Sequence, residues 1–192
     1  MKVSNFVAFW SAGGWTKLPG NGASGLVAGL IIAIAYAMWT WQWVPLLSTA
    51  TLLIHEAGHV IIGALMGERM MVYGGTIFQL LFPVVFCVYF ARGGDALGFC
   101  FSVAWESTAI HAMGVYVADA RTQGLPLVGN GERLHDWAKI LGRWGLLTWD
   151  HALGRLCCGA AWLALFSCAV LLFDLWRANQ AGKDALRPRR PF

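Results

Sequence analysis

Charged residues are scarce in this chain of 192 amino acids: they make up 12% of the sequence, against 58% hydrophobic residues. Soluble globular domains carry about 25% charged residues, so the composition excludes an ordinary soluble domain. The apolar residues also lie in long uninterrupted blocks rather than at the spacing of a soluble core. Both features indicate an integral membrane protein whose surroundings are the lipid bilayer.

Histidine and spaced cysteine pairs are scarce as well, which narrows the possible chemistry. Five histidines are too few for a membrane di-iron oxygenase, and the five cysteines contain no CxxC pair of a zinc ribbon or dithiol redox site. Charges distributed along a membrane pathway, which a transporter is expected to show, are also lacking. We expect no nucleic-acid partner.

The charge-free blocks predict about five transmembrane helices, so the expected fold class is an all-α polytopic membrane protein. From Gly20 to Met66 the only charged residue is Glu56, and this stretch is long enough for two spans of roughly 20 residues each. Residues 1–192 are predicted to form a single membrane domain. Its spans are expected near residues 26–43, 45–66, 70–91, 96–119 and 154–176.

Two segments lie outside these spans. A loop over residues 120–151 contains apolar residues at helical spacing between Leu134 and Leu147, which fits an interfacial helix or a surface helix packed on the spans. Residues 177–192 form a basic tail, which favours the cytoplasmic side. We expect the protein in the plasma (inner) membrane of a bacterium.

The sequence His55-Glu56-Ala57-Gly58-His59 lies inside the second predicted span. Residues four apart on a helix differ by about 40° in azimuth, so His55 and His59 can direct ring nitrogens at one metal ion. Glu56 can then take a proton from a water bound to that metal. Such a motif should occur by chance roughly 0.003 times in a chain of this composition. Burying an ionised group here costs about 2.5–3.5 kcal/mol, which favours a functional role.

HEAGH within an apolar helix resembles the site-2 protease family of intramembrane zinc metalloproteases. The resemblance implies a three-helix catalytic core, one Zn²⁺ per chain, and Glu56 as the catalytic base. In that family the third helix of the core supplies an aspartate ligand, and the corresponding helix here is the fourth span. The family pattern Asn-x-x-Pro-x-x-Asp-Gly is not reproduced in it. Asp119 is the first choice for the third ligand, His111 is its rival, and Glu106 is a polar partner.

Further candidates flank the motif. Gly74, Gly75 and Gln79 could open a backbone strip to which an extended peptide substrate adds by strand pairing, or they could serve close helix packing. His135 and Asp136 could support the metal from the loop or gate access to it. They could equally cap the loop helix, which is the alternative we favour.

The sequence therefore predicts an intramembrane metalloprotease that hydrolyses peptide bonds of membrane proteins. Zinc would be held by His55, His59 and Asp119, with Glu56 activating water. Since no sizeable domain lies outside the membrane, substrates would be recognised within the bilayer or through an accessory protein. The alternative is a membrane metal-binding or scaffold protein that keeps a protease-like fold without turnover.

Overall fold

All regular elements of the described chain are helices, which confirms the predicted all-α class. The computed structural model describes Trp15, residues 20–125 and residues 135–185. The helices are α1 (Asn21–Thr40), α2 (Leu47–Met66), α3 (Glu68–Arg92), α4 (Ala96–Ala118), α5 (Asp136–Trp144) and α6 (Asp150–Ala185), with a 3-10 turn at Leu147–Trp149.

Four segments are long and apolar enough to cross a membrane: α1, α2, α3 and Leu147–Gly182, which contains most of α6. Their outer faces carry large apolar side chains, for example Leu53, Val60 and Leu163 with exposed fractions of 66%, 71% and 66%. Water would penalise a continuous apolar surface of this kind, whereas lipid tails accommodate it. The protein is therefore membrane-embedded and polytopic.

The fourth predicted span forms α4, which is not among these four segments. Buried polar side chains lower its hydropathy, and they include Ser102, Ser107, Thr108 and His111. The hydroxyl groups of Ser102, Ser107 and Thr108 each donate a hydrogen bond to a backbone carbonyl of the same helix. Ser107 Oγ, for example, donates to the Ala104 carbonyl at 2.7 Å. α4 packs against α1, α3 and α6, so it forms the centre of the bundle.

The helix ends differ from the predicted spans because hydrogen bonding does not stop where apolar sequence stops. α6 begins at Asp150 and continues to Ala185, well beyond the apolar block 154–176. α5 covers nine residues of the predicted loop helix and buries Ile140 and Leu141. Residues 126–134 of the loop and 186–192 of the basic tail lie outside the described residues.

A close backbone contact joins α2 to α3. A Cβ atom added to Gly58 would lie 2.3 Å from the Gly74 carbonyl oxygen, and one added to Gly74 would lie 2.3 Å from that of Gly58. Only glycine at both positions allows the helix backbones to come this close. The contact places the histidine face of α2 directly against α3.

α5 lies at the end of the bundle where α2 and α4 finish and α3 begins. The Arg143 guanidinium donates a hydrogen bond to the Arg69 carbonyl at 2.9 Å. The indole ring of Trp144 stacks on Tyr73 with 6.2 Å between ring centroids. These contacts bring the loop over the end of the α2–α3 pair.

Candidate metal centre

His55 and His59 lie one turn apart on α2 and direct their Nε2 atoms at the same point. The two Nε2 atoms are 3.0 Å apart, and the ring planes meet at 76°. The predicted convergence of the two histidines is therefore present in the fold.

Hydrogen bonds determine which nitrogen of each ring carries the proton. Gln79 donates its amide to the Ala109 carbonyl at 2.7 Å, so its oxygen faces His55 Nδ1 at 2.9 Å. Because an amide oxygen only accepts, His55 Nδ1 is the donor. The Met71 carbonyl accepts from His59 Nδ1 at 2.8 Å in the same way. Each neutral ring therefore presents an unprotonated Nε2.

Asp136, the first residue of α5, adds a carboxylate oxygen to this pair. Its Oδ2 atom lies 3.3 Å from His55 Nε2 and 3.1 Å from His59 Nε2. Burial by itself raises the pKa of the Asp136 carboxyl, but the two imidazoles beside it outweigh burial and lower that pKa. The carboxylate is therefore ionised at neutral pH.

The two Nε2 atoms and Asp136 Oδ2 are therefore all hydrogen-bond acceptors that face one another, and none of them carries a proton to donate. Such acceptors repel at these distances, and a cation among them replaces the repulsion by attraction. Gly75 leaves the space that a cation requires, because a Cβ atom there would lie 2.5 Å from Nε2 of both histidines. His55, His59 and Asp136 form a possible metal-binding triad.

Glu56 lies beside His55 on α2 and is half-buried. It precedes His59 by three residues on the same helix, so its side chain neighbours that of His59 on the helix surface. An acid or base therefore lies next to the triad without belonging to it.

The predicted third ligand, Asp119, does not lie in this cluster of the described residues. Asp119 follows the last residue of α4, and its carboxylate accepts hydrogen bonds from the Thr122 hydroxyl at 2.7 Å and from the Gly124 and Leu125 amides at 2.9 and 3.0 Å. Burial raises the pKa of Asp119, but these hydrogen bonds lower it more. Its lone pairs are used to close the turn after α4.

The rival ligand His111 is also outside the triad. It is buried on α4, and its ring packs against Trp41 with 5.5 Å between centroids. Glu106 does not join the triad either, and its Oε2 atom is buried without a hydrogen-bond partner among the described residues. Among the described residues, the carboxylate that joins the two histidines therefore comes from the loop and not from α4.

The two alternatives for His135 and Asp136 are each realised by one residue. His135 caps α5, with its Nδ1 accepting from the Ala138 amide at 3.2 Å. Asp136 reaches the histidines, a position for which we expected only an indirect role. The sequence offers only a modest signal for this position. Asp136 is an acidic residue at the start of an amphipathic helix, in a loop whose apolar residues indicate that it packs on the bundle.

Gly74, Gly75 and Gln79 all lie inside α3, where they are buried. Gly74 serves the contact with α2, Gly75 makes room beside the ring nitrogens, and Gln79 orients His55. Close packing is thus the alternative found here. The backbone of this segment is helical and does not form a strip for strand pairing.

Comparison of the chain with known protein families, with curated proteins and with solved structures found no match. The resemblance to site-2 proteases therefore rests on HEAGH and its place in an apolar helix. The function has to be argued from the site itself.

Proposed function

We propose that this protein is an intramembrane zinc metalloprotease, similar to site-2 proteases, with zinc held by His55, His59 and Asp136. The proposal is carried by the convergence of two imidazole nitrogens and one carboxylate oxygen at 3.0 to 3.3 Å beside Glu56. Ligand atoms of a tetrahedral zinc ion with bonds near 2.05 Å lie about 3.3 Å apart. Three protein ligands and one open position are typical of catalytic zinc.

Bound zinc supplies a polarised peptide carbonyl and a water whose pKa is lowered toward 7. Glu56 accepts the proton as the water oxygen attacks the carbonyl carbon, and then donates it to the nitrogen of the breaking C–N bond. Gln79 and the Met71 carbonyl hold the two imidazoles in the required tautomer throughout. The products are a carboxylic acid and an amine, and Glu56 ends the cycle ionised.

The position of the site favours substrates that approach from the membrane. His59 is seven residues from the end of α2, which corresponds to about 10 Å along the helix axis. A peptide bond of a membrane-spanning substrate near the bilayer surface would lie at this level. An accessory protein could present such substrates.

The test is a comparison of two carboxylate variants. Purified protein is reconstituted with a single-span reporter substrate, and cleavage and zinc content are measured together. Glu56→Gln is expected to keep about one zinc per chain while cleavage falls by about 10² to 10⁴. Glu106→Gln is the matched control, since Glu106 is a half-buried carboxyl on an apolar helix outside the triad.

Each negative result would contradict a different part of the proposal. Undiminished cleavage by Glu56→Gln contradicts the mechanism. Well-folded protein without zinc contradicts the metal centre. Zinc binding without cleavage of any single-span substrate contradicts the protease and leaves the metal-binding scaffold as the function.

A further inference from the structure

The triad is divided between two elements that are distant in the sequence. His55 and His59 come from α2, whereas Asp136 opens α5, a helix of nine residues. An isolated helix of this length is unstable in water. The third ligand is therefore in place only while the bundle holds α5.

Tyr116 of α4 contacts the backbone of Asp136. Its hydroxyl oxygen accepts a hydrogen bond from the backbone amide of Asp136 at 3.1 Å, and its ring packs on His135 with 4.1 Å between ring centroids. The hydroxyl thereby anchors the first amide of α5. That amide has no helical partner of its own.

From these contacts we infer that Tyr116 is a positioning residue for Asp136, and that metal binding and the docking of α5 form one coupled equilibrium. The inference rests on the metal site of the proposed function but not on peptide cleavage. A metal that requires all three ligands binds only the docked form, so its apparent affinity falls with the docked fraction. By reciprocity, bound metal raises that fraction.

The first test is the zinc affinity of full-length protein in detergent, measured by competition with a chromophoric chelator. Tyr116→Phe keeps the ring on His135 and removes only the hydroxyl. Residues that orient a ligand typically change metal affinity by about 10- to 100-fold, and we expect a loss in this range. Tyr73→Phe is the control, because the Tyr73 ring also contacts α5 through Trp144 and should retain full affinity.

A second pair of variants keeps the inference testable if Tyr116→Phe folds poorly. Arg143 is exposed and anchors the far end of α5 through the Arg69 carbonyl. Arg143→Ala should weaken zinc binding by a smaller factor than Tyr116→Phe. Lys139→Ala removes the same charge from an exposed position of the same helix and should leave the affinity unchanged.

Amide hydrogen exchange over residues 136–144 measures docking directly. Zinc should slow this exchange in the wild-type protein and not in Asp136→Ala. The inference is overturned if zinc leaves the exchange unchanged, if wild type binds no zinc, or if Tyr116→Phe binds as tightly as Tyr73→Phe. Coupling without any cleavage would contradict the protease and support the inference. Cleavage with unchanged exchange would contradict the inference alone.

Discussion

Two pairs of glycines, Gly58–Gly74 and Gly114–Gly154, bring helices of the described chain into close contact, and their surroundings differ in chemistry. Between α2 and α3, Gly58 meets Gly74, and the next residue, Gly75, faces two imidazole nitrogens. Between α4 and α6, a Cβ atom on Gly154 would lie 2.6 Å from the Gly114 carbonyl oxygen and 2.7 Å from the Ala118 Cβ atom. The same packing device therefore lies beside a possible metal-binding triad in one case and beside backbone and methyl groups in the other.

The difference lies in what stands beside the glycines. Close approach of helices is a general result of small residues at an interface. At Gly75 it brings lone pairs together, whereas at Gly154 it brings backbone and methyl groups together. A glycine pair in a membrane helix is thus evidence of packing, and the neighbouring side chains decide whether it also makes a site.

The largest expected effect comes from filling the space at Gly75. In Gly75→Ala the added Cβ atom would stand 2.5 Å from Nε2 of both histidines, where the ion is expected, so zinc binding should be lost completely. Gly159→Ala is the control, because its Cβ would meet no atom within 4 Å. Metal analysis of the purified variants checks this, and one zinc per chain in Gly75→Ala would refute the proposed position of the ion.

The next largest effect separates Asp136, the carboxylate of the triad, from the ligands predicted on the fourth span. Asp136→Ala should weaken zinc binding by more than about 100-fold, beyond the loss caused by changing a residue that only orients a ligand. Asp119→Ala and His111→Ala should bind zinc nearly as wild type does, because neither side chain belongs to the triad. Chelator competition measures all three, and an equal loss in Asp119→Ala would restore the assignment from the sequence.

A smaller effect, on stability, is expected at the structural contact. In Gly154→Ala the new methyl group would overlap Gly114 and Ala118, and overpacking of this kind typically costs about 1–3 kcal/mol. The unfolding temperature in detergent should fall, while the folded fraction still binds one zinc per chain. Loss of zinc from protein that remains folded would show that the two contacts are not independent.

The smallest effect concerns the turn that Asp119 closes. The amides of Leu125 and Gly124, helped by the Thr122 hydroxyl, hold the Asp119 pKa below its usual range despite burial, which raises it. The stabilisation is therefore complete above the unfolded pKa of about 3.9 and is lost as pH falls through the lower folded value. Zinc-free Asp119→Ala should lose less stability than wild type between pH 5 and 3 in acid titrations. Parallel titration curves for the two proteins would contradict this.

The local sequence pattern was sufficient to predict the helices and the part of the site that lies on α2. The charge-poor blocks predicted the five long helices of the described residues, although Glu106, His111 and buried hydroxyl side chains keep α4 from being among the candidate membrane spans. The separation of His55 and His59 by four residues is enough to bring their rings together, because helix geometry is set by the backbone alone. The same reasoning placed Glu56 next to them.

By itself, therefore, the sequence determined a membrane-embedded helical protein with a convergent histidine pair and an adjacent glutamate on α2. Only the tertiary structure decided that Asp136 completes the triad, that Asp119 closes a turn, and that Gly75 leaves the space between the ring nitrogens. The physical reason is distance along the chain. Helical periodicity relates residues one or two turns apart, whereas Asp136 is 77 positions after His59, and its place depends on how α5 packs against α3 and α4.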